Sequence, residues 1–177
     1  MQFYNFDVSK DLISSDAIGE YLPAPVAATL AGKEVIVFSV PDNASDTADN
    51  SARFGIPLED CANTIVLRYK KDATEHFAAV VTLASYRLDI NGAVRLALSA
   101  KRISFASREA ATEQSAMQFG GITAFGLPPH WRVLIGDKVM GREQIVMGAG
   151  VRAAKLVLRP STLAQLHGVE IAQLTGA

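Results

Sequence analysis

Two glycine-rich turns are the stretches of this sequence best suited to chemistry. The first lies within residues 119–129 and contains the pair Gly120-Gly121, and the second is Gly-Ala-Gly at residues 148–150. Glycine lacks a Cβ and tolerates positive φ, so such turns can bring backbone N–H and C=O groups close to an acyl or phosphate oxygen. Glycine clusters more often only reverse the chain between strands. Taken alone, the turns leave both interpretations open.

Other chemically capable residues are scattered. The three histidines and the single cysteine, Cys61, show no metal-ligand spacing, and no Ser-His-Asp or Cys-His order is legible. We therefore expect no metal site and no cofactor. His130 is a further candidate, because the loop at residues 128–131 follows the first glycine turn and its titratable ring would reach a pocket rim there. The adjacent Trp131 suits either stacking on a terminal base or ordinary packing.

Composition limits the possible partners. The chain has 177 residues and a net charge of −1, which excludes a broadly basic DNA-binding protein and leaves only local attraction to RNA. No apolar run reaches the roughly 18 residues of a membrane span, and the N-terminus lacks a targeting signal. With one cysteine, a cytoplasmic location without membrane contact is expected. The local basic clusters, typical of solvated strand ends, are Arg68, Lys70 and Lys71; Lys101 and Arg102; and Arg152, Lys155 and Arg159.

The elements that must position these residues alternate between strands and helices. Predicted strands lie at residues 34–40, 63–69, 76–83, 103–106, 132–135, 144–147, 154–158 and 170–174, and the second and third form a hairpin. Helices are expected up to about residue 30 with a break at two prolines, after Ser45 or Asp46, after Asp89 or Asn91, from Ser107 to about residue 118, and between residues 160 and 168. This order indicates one mixed α/β domain.

In order and spacing, these segments resemble the YbaK-like aminoacyl-tRNA deacylases, free-standing relatives of the editing domain of bacterial prolyl-tRNA synthetases. The segments that carry the resemblance are residues 51–57, 63–67, 87–89, 120–126, 148–152 and 158–163. It implies a mixed sheet curled towards a barrel and surrounded by helices. It also implies hydrolysis of the ester between a wrong amino acid and the tRNA 3′ end. Residues 44–177 would form this domain, and residues 1–43 an N-terminal extension packed on its core, within a single domain of residues 1–177.

The family's usual lysine is missing from this chain. Relatives carry a lysine followed by threonine or asparagine on the strand after the Gly-Ile-Pro unit. That lysine position falls on Asn63, or on Ala62 if the alignment shifts by one residue, and Thr64 is kept. Asparagine donates hydrogen bonds but supplies no charge. The Ser-Pro that follows the family's glycine pair reads here as Thr123-Ala124, which keeps a hydroxyl.

The resemblance assigns roles to particular residues. Backbone N–H groups of Gly120, Gly121 and Gly150 would bind the oxyanion, while Asn63 and Thr123 would orient the substrate carbonyl or a water. The expected substrate-binding residues are Thr64, Phe125, Gly148, Gly150, Arg152 and His130. Water would attack the ester, with or without help from the terminal ribose hydroxyl.

Two functions follow from these residues. The first is a trans-editing deacylase acting on a mischarged aminoacyl-tRNA. The second is a catalytically impaired binding module for an aminoacyl-like small ligand, a tRNA end or a protein partner, because several pocket positions, Asn63 among them, depart from the family pattern together. The first is favoured.

Overall fold

The computed structural model describes residues 8–176. Residues 1–7, at the start of the expected N-terminal extension, lie outside the described residues. Within the described range the strands form two sheets. The antiparallel sheet has the order β1-β2-β8-β7 and the mixed sheet has the order β5-β3-β4-β6-β9. Their bounds are β1 Leu12–Ile13, β2 Val35–Ser39, β3 Ala62–Lys70, β4 Glu75–Leu83, β5 Arg102–Phe105, β6 Arg132–Gly136, β7 Ile145–Gly148, β8 Ala154–Leu158 and β9 Val169–Ala172.

The mixed α/β class is confirmed, with one difference in detail. The strands lie in two sheets that are not closed into a barrel. An isolated parallel bridge between Cys61 and Val146 joins the start of β3 to β7, so the sheets meet along this line. The hairpin of β3 and β4 pairs over its full length, from Ala62 opposite Leu83 to Lys70 opposite Glu75.

Short helices connect and cover the sheets. Their bounds are α1 Ile18–Tyr21, α2 Ala24–Leu30, α3 Thr47–Phe54, α4 Arg95–Ala97, α5 Arg108–Ser115, α6 Asp137–Met140 and α7 Pro160–Ala164, with a π-helical turn at Ile90–Val94. α3 ends where Gly55 takes a left-handed conformation with φ 69°. The Asp89 side chain caps the π-helical turn by accepting hydrogen bonds from the N–H groups of Gly92 and Ala93. Among the described residues, no helix is long and apolar enough to cross a membrane.

Three details differ from the sequence prediction. α5 begins at Arg108, directly after the expected cap Ser107, but ends at Ser115 rather than near residue 118, because Ala116 turns left-handed with φ 58°. α6 lies between two predicted strands, where no helix was expected. The two-residue strand β1 is too short to show an alternating pattern in the sequence.

The main core lies between the two sheets. Val66 and Ile135 of the mixed sheet pack in one cluster with Met147 and Leu156 of the antiparallel sheet. All five residues of β8 are buried, since this strand is paired on both sides and covered on both faces. Helix α2 and strands β1 and β2, which precede residue 44, contribute to the same cluster.

Candidate active site

A cavity of about 570 Å³ opens where the two sheets meet. Strand β3 lines it with residues 62–66, and the beginning of α3 contributes Asp46 and Thr47. The glycine turns contribute Gly120 and Gly148, and β8 contributes Lys155. The cavity therefore brings together the two regions that the sequence singled out, β3 and the glycine turns.

The two glycine turns are hydrogen-bonded to each other and form one wall. Gly150 N–H donates to Gly121 O at 2.6 Å, and Gln118 N–H donates to Gly150 O at 3.0 Å. A Cβ added at Gly121 would overlap the backbone of Val151, and one added at Gly148 would lie 2.7 Å from Gly121 O. Glycine is required here because two backbone segments pass in contact, which is more than a simple reversal of the chain.

This pairing narrows the expected oxyanion site. Gly121 N–H donates to Gln118 O at 3.0 Å, and Gly150 N–H is also committed. Each residue has a single backbone N–H, so neither of these groups remains for a substrate oxyanion. Gly120 has φ 84° and lines the cavity, and within residues 8–176 its N–H makes no backbone hydrogen bond. Of the three glycine amides, Gly120 is the one left to donate.

Asn63 and Thr64 both line the cavity. Thr47 Oγ1 donates to Asn63 Oδ1 at 3.1 Å, so the acceptor end of the amide is held and the NH₂ group is the end left for a ligand. Thr64 Oγ1 is buried and has no hydrogen-bond partner among the described residues. A buried hydroxyl without a partner is costly, which is typical of a group that awaits a ligand or water.

Lys155 is the cation of this cavity, and the sequence prediction missed it. It lies on β8 opposite Gly148 and is only 8% exposed, so the expectation of a solvated strand end is wrong. Burial lowers the pKa of Lys155 because it removes the ammonium group from water, and the charge of Arg152 acts in the same direction. The neighbouring Cys61 and Asp46 act against this lowering.

The sequence does contain a signal for Lys155. It interrupts an otherwise apolar run, Ala-Lys-Leu-Val-Leu at residues 154–158. Such runs are typical of strands buried on both faces, and a lysine is almost never buried there without a partner or a purpose. Asn63 occupies the position at which the family is expected to carry a lysine, but a lysine from a different strand lines the same cavity.

Six expected site residues do not line this cavity, namely Gly121, Thr123, Phe125, His130, Gly150 and Arg152. Thr123 and Phe125 are fully buried behind the first glycine turn, and Thr123 N–H lies 3.4 Å from Met117 Sδ. His130 is exposed on its loop. The adjacent Trp131 is buried in the core and stacks on Phe77, with 5.5 Å between the ring centroids.

Arg152 lies at the rim of the cavity. Its guanidinium group contacts Asp46 at 3.3 Å and Asp42 at 3.6 Å, and both carboxylates are largely exposed. It lines an adjoining surface cavity of about 560 Å³ together with Arg108 and Phe119. Phe119 also lines the first cavity, so the two spaces share this ring. The arrangement offers two cations beside an aromatic ring at the entrance.

Cys61 is not equipped to act as a nucleophile. It is buried, and burial raises the pKa of its thiol to about 11. The reactive thiolate is therefore disfavoured. Among residues 8–176, no group of three His, Cys, Asp or Glu side chains is placed to hold a metal ion.

Comparison with known proteins finds a matching family model and similar solved structures. The family model of an aminoacyl-tRNA editing domain matches residues 41–166. One similar solved structure is described as that of a candidate trans-editing enzyme for prolyl-tRNA synthetase, with 17% identity, a TM-score of 0.75, and coverage of 86% of this chain and 96% of the other. Another, described as a hypothetical protein, shows 20% identity, a TM-score of 0.72, and coverage of 81% and 92%.

At such identities the structural matches establish the fold alone. Curated proteins give no match. The family model, however, spans more than two thirds of the chain and includes both glycine turns, Asn63 and Lys155. The chain therefore belongs to the aminoacyl-tRNA editing domain family.

Proposed function

We propose that the chain is a trans-editing deacylase that hydrolyses the ester linking a wrong amino acid to the 3′ end of a tRNA. The observation that carries this proposal is the buried Lys155 in the wall of a cavity that also contains Asn63 and Gly120. Burying an ammonium group costs free energy unless an opposite charge is placed near it. Membership of the editing family supports an aminoacyl-tRNA ester as the substrate, and the oxyanion formed from that ester would be the opposite charge.

The chemistry needs no covalent intermediate with the protein. The aminoacyl group enters the cavity, and a water molecule attacks the ester carbonyl carbon and loses a proton. The carbonyl oxygen becomes an oxyanion, which the Lys155 ammonium and Gly120 N–H stabilise, while the NH₂ group of Asn63 orients the substrate. The intermediate then collapses, the bond to the ribose oxygen breaks, and that oxygen takes up a proton. Fixed charges of this kind typically contribute about 10²–10³ to the rate.

The proposed role requires the protonated amine. Burial lowers the pKa of Lys155 below its ordinary 10.5, and the Asp46 carboxylate in the same cavity acts against this lowering. Asp46 itself is held by Arg152. From the rim inwards, the charged groups are thus Arg152, Asp46 and Lys155, which alternate in sign. Because of this alternation, the cavity does not repel the phosphate of the terminal nucleotide.

Ligand binding without turnover is the other function that the sequence left open. That alternative was based on several departures from the family pattern, among them the missing positive charge at Asn63. Because Lys155 brings a cation into the same cavity, loss of the family lysine does not require loss of chemistry. The geometry therefore favours the enzyme over the binding module.

The test is single-turnover hydrolysis of a set of mischarged tRNAs by the wild-type chain and by Lys155→Met. Methionine keeps most of the side-chain volume and removes the charge, so the variant should fold at least as well. We expect its rate to fall by about 10²–10³. Lys138→Met is the matched control, because Lys138 is exposed and far in sequence from the cavity-lining residues.

Two outcomes would overturn the proposal. If no tRNA in a complete set is hydrolysed faster than in buffer, the deacylase function is wrong. If Lys155→Met hydrolyses its substrate as fast as Lys138→Met, the role given to Lys155 is wrong.

A further inference from the structure

A second charged feature lies at the far end of the strands that line the cavity. Five cationic side chains surround a surface depression of about 450 Å³, and we call them the strand-end cluster. They are Arg68, Lys70, Arg95, Lys101 and Arg102. The sequence places them in three separate segments. The fold unites them because Lys70 pairs with Arg102 across β3 and β5, and Lys101 N–H donates to Lys70 O at 2.7 Å.

Most of this charge is not neutralised. Arg68 is held by both oxygens of Glu75 at 2.7 Å. Lys70, Lys101 and Arg102 are exposed, and within residues 8–176 no carboxylate forms an ion pair with any of them. The cluster holds five of the 17 Lys and Arg residues of a chain whose net charge is −1, so the rest of the chain is net negative. Attraction for a polyanion is therefore concentrated at this place.

Protection of a sheet edge is a structural explanation for part of the cluster. β5 is an edge strand, and lysines on edge strands discourage pairing with other chains. Edge protection does not account for Arg95, which comes from helix α4 and faces the same depression. Convergence of charge from three elements, β3, β5 and α4, on one depression is typical of an anion-binding surface.

The strand-end cluster and the cavity are connected by the same strands. Thr64 lines the cavity and Lys70 belongs to the cluster, and six residues of extended strand span about 20 Å. Successive side chains of a strand point to opposite faces, so the side chains of residues 64, 66, 68 and 70 lie on one face of β3. At about 3.4 Å per nucleotide, this separation corresponds to roughly six nucleotides of stacked RNA strand.

We infer that the strand-end cluster binds the RNA backbone of the tRNA acceptor arm while the 3′ aminoacyl end occupies the cavity. This inference rests on the proposed function for its choice of RNA. The cluster contacts phosphates, so it contributes affinity that falls with salt and does not depend on base sequence. It holds the substrate and takes no part in the chemistry.

The test measures binding of an uncharged tRNA by fluorescence anisotropy between about 50 and 200 mM salt. Over this range, each phosphate contact makes the affinity fall by about 3.5-fold as the salt concentration rises. The variant is Lys70→Gln/Lys101→Gln. At the lowest salt concentration, we expect the variant to bind tRNA about tenfold more weakly than the control. The slope of log affinity against log salt concentration should be shallower by about two. Lys10→Gln/Lys138→Gln is the control, because it removes the same charge from two exposed lysines outside the cluster.

A second measurement separates this inference from the proposed function. Hydrolysis of an aminoacyl ester of adenosine, which lacks the acceptor arm, should be equal in the variant and the control, while KM for the full aminoacyl-tRNA rises in the variant alone. The tRNA-binding comparison decides the role of the cluster even if no substrate is hydrolysed. Equal tRNA binding by the two double variants would overturn the inference. A loss of binding to phosphatidylserine vesicles without any loss of tRNA binding would overturn it too.

Discussion

The cavity has one wall made of backbone and one wall made of side chains. In the first, Gly121 and Gly148 let two segments touch, and hydrogen bonds between the turns fix their separation. In the second, β3 of the mixed sheet and β8 of the antiparallel sheet present Asn63, Thr64 and Lys155. We call these the backbone wall and the side-chain wall. A substitution in the backbone wall displaces the main chain, whereas a substitution in the side-chain wall changes only which groups point into the cavity.

This difference between the two walls explains how the cavity can take its positive charge from β8 rather than from β3. The stabilisation of an oxyanion depends on where the positive charge lies and not on which strand or helix carries it. Strands of two adjoining sheets face the same space, so a lysine on β8 can serve where relatives are expected to use a lysine on β3. The backbone wall has no such freedom, because no other residue type can replace glycine where backbones are in contact.

The backbone wall should be broken most severely by Gly121→Ala. The new Cβ would overlap the backbone of Val151, and neither partner is a flexible side-chain end. We expect the free energy of unfolding to fall by about 3 kcal/mol, at the upper end for overpacked sites. Urea denaturation measures this loss.

Gly141→Ala is the matched control for that substitution. Gly141 has φ −79°, and a Cβ there would lie 3.5 Å from Lys138 O, an ordinary contact. Its unfolding free energy should change by less than about 0.5 kcal/mol. Similar losses for both variants would contradict the close-packed wall and indicate simple turns.

The side-chain wall should tolerate a transfer of charge. In a Lys155→Met background, Asn63→Lys returns a lysine to β3, and we expect single-turnover hydrolysis to recover about tenfold or more of the lost rate. Gln165→Lys in the same background is the control, since it adds the same charge at an exposed position that does not line the cavity. Equal rates for the two double variants would show that a charge on β3 inside the cavity does not restore hydrolysis.

The sequence predicted the parts of this molecule that depend on local rules. The β3–β4 hairpin, the end of α3 at Gly55 and the cap at Ser107 follow from alternation, turn residues and capping. Lys155 was missed as a site residue because the cavity that it lines is assembled from segments distant in sequence, even though the apolar run at residues 154–158 is typical of a buried strand. The commitment of the Gly150 N–H group was missed for the same reason, since its acceptor, Gly121 O, lies on the other turn.

The rim joins the two walls, and Arg152 should contribute less than either. Its guanidinium group is partly exposed and already contacts Asp42 and Asp46. For Arg152→Ala we expect kcat/KM for a mischarged tRNA to fall about fivefold, the effect of roughly 1 kcal/mol from an exposed charge. Arg159→Ala, at another exposed arginine, should leave this value unchanged. Equal effects would mean that Arg152 acts only through net charge.

The smallest effect is a pair of opposite pH responses, one from Lys155 of the side-chain wall and one from Cys61, which directly precedes β3. The pKa of Lys155 lies below its ordinary 10.5, so just below pH 10.5 the unfolded chain binds more protons and the unfolding free energy rises with pH. The pKa of the Cys61 thiol is raised from 9.0 to about 11, so between these values the folded chain keeps a proton that the unfolded chain has lost. In that window the Cys61 contribution to stability falls as pH rises.

These two contributions can be separated by urea denaturation in reducing buffer from about pH 8 to about pH 11. Relative to the wild-type chain, Cys61→Ala should gain stability with rising pH because only the Lys155 contribution remains. Lys155→Met should lose stability over the same range because only the Cys61 contribution remains. Parallel curves for the two variants would contradict the burial of both groups. Divergence in the stated directions would show that the amine of Lys155 and the thiol of Cys61 are both removed from water in the folded chain.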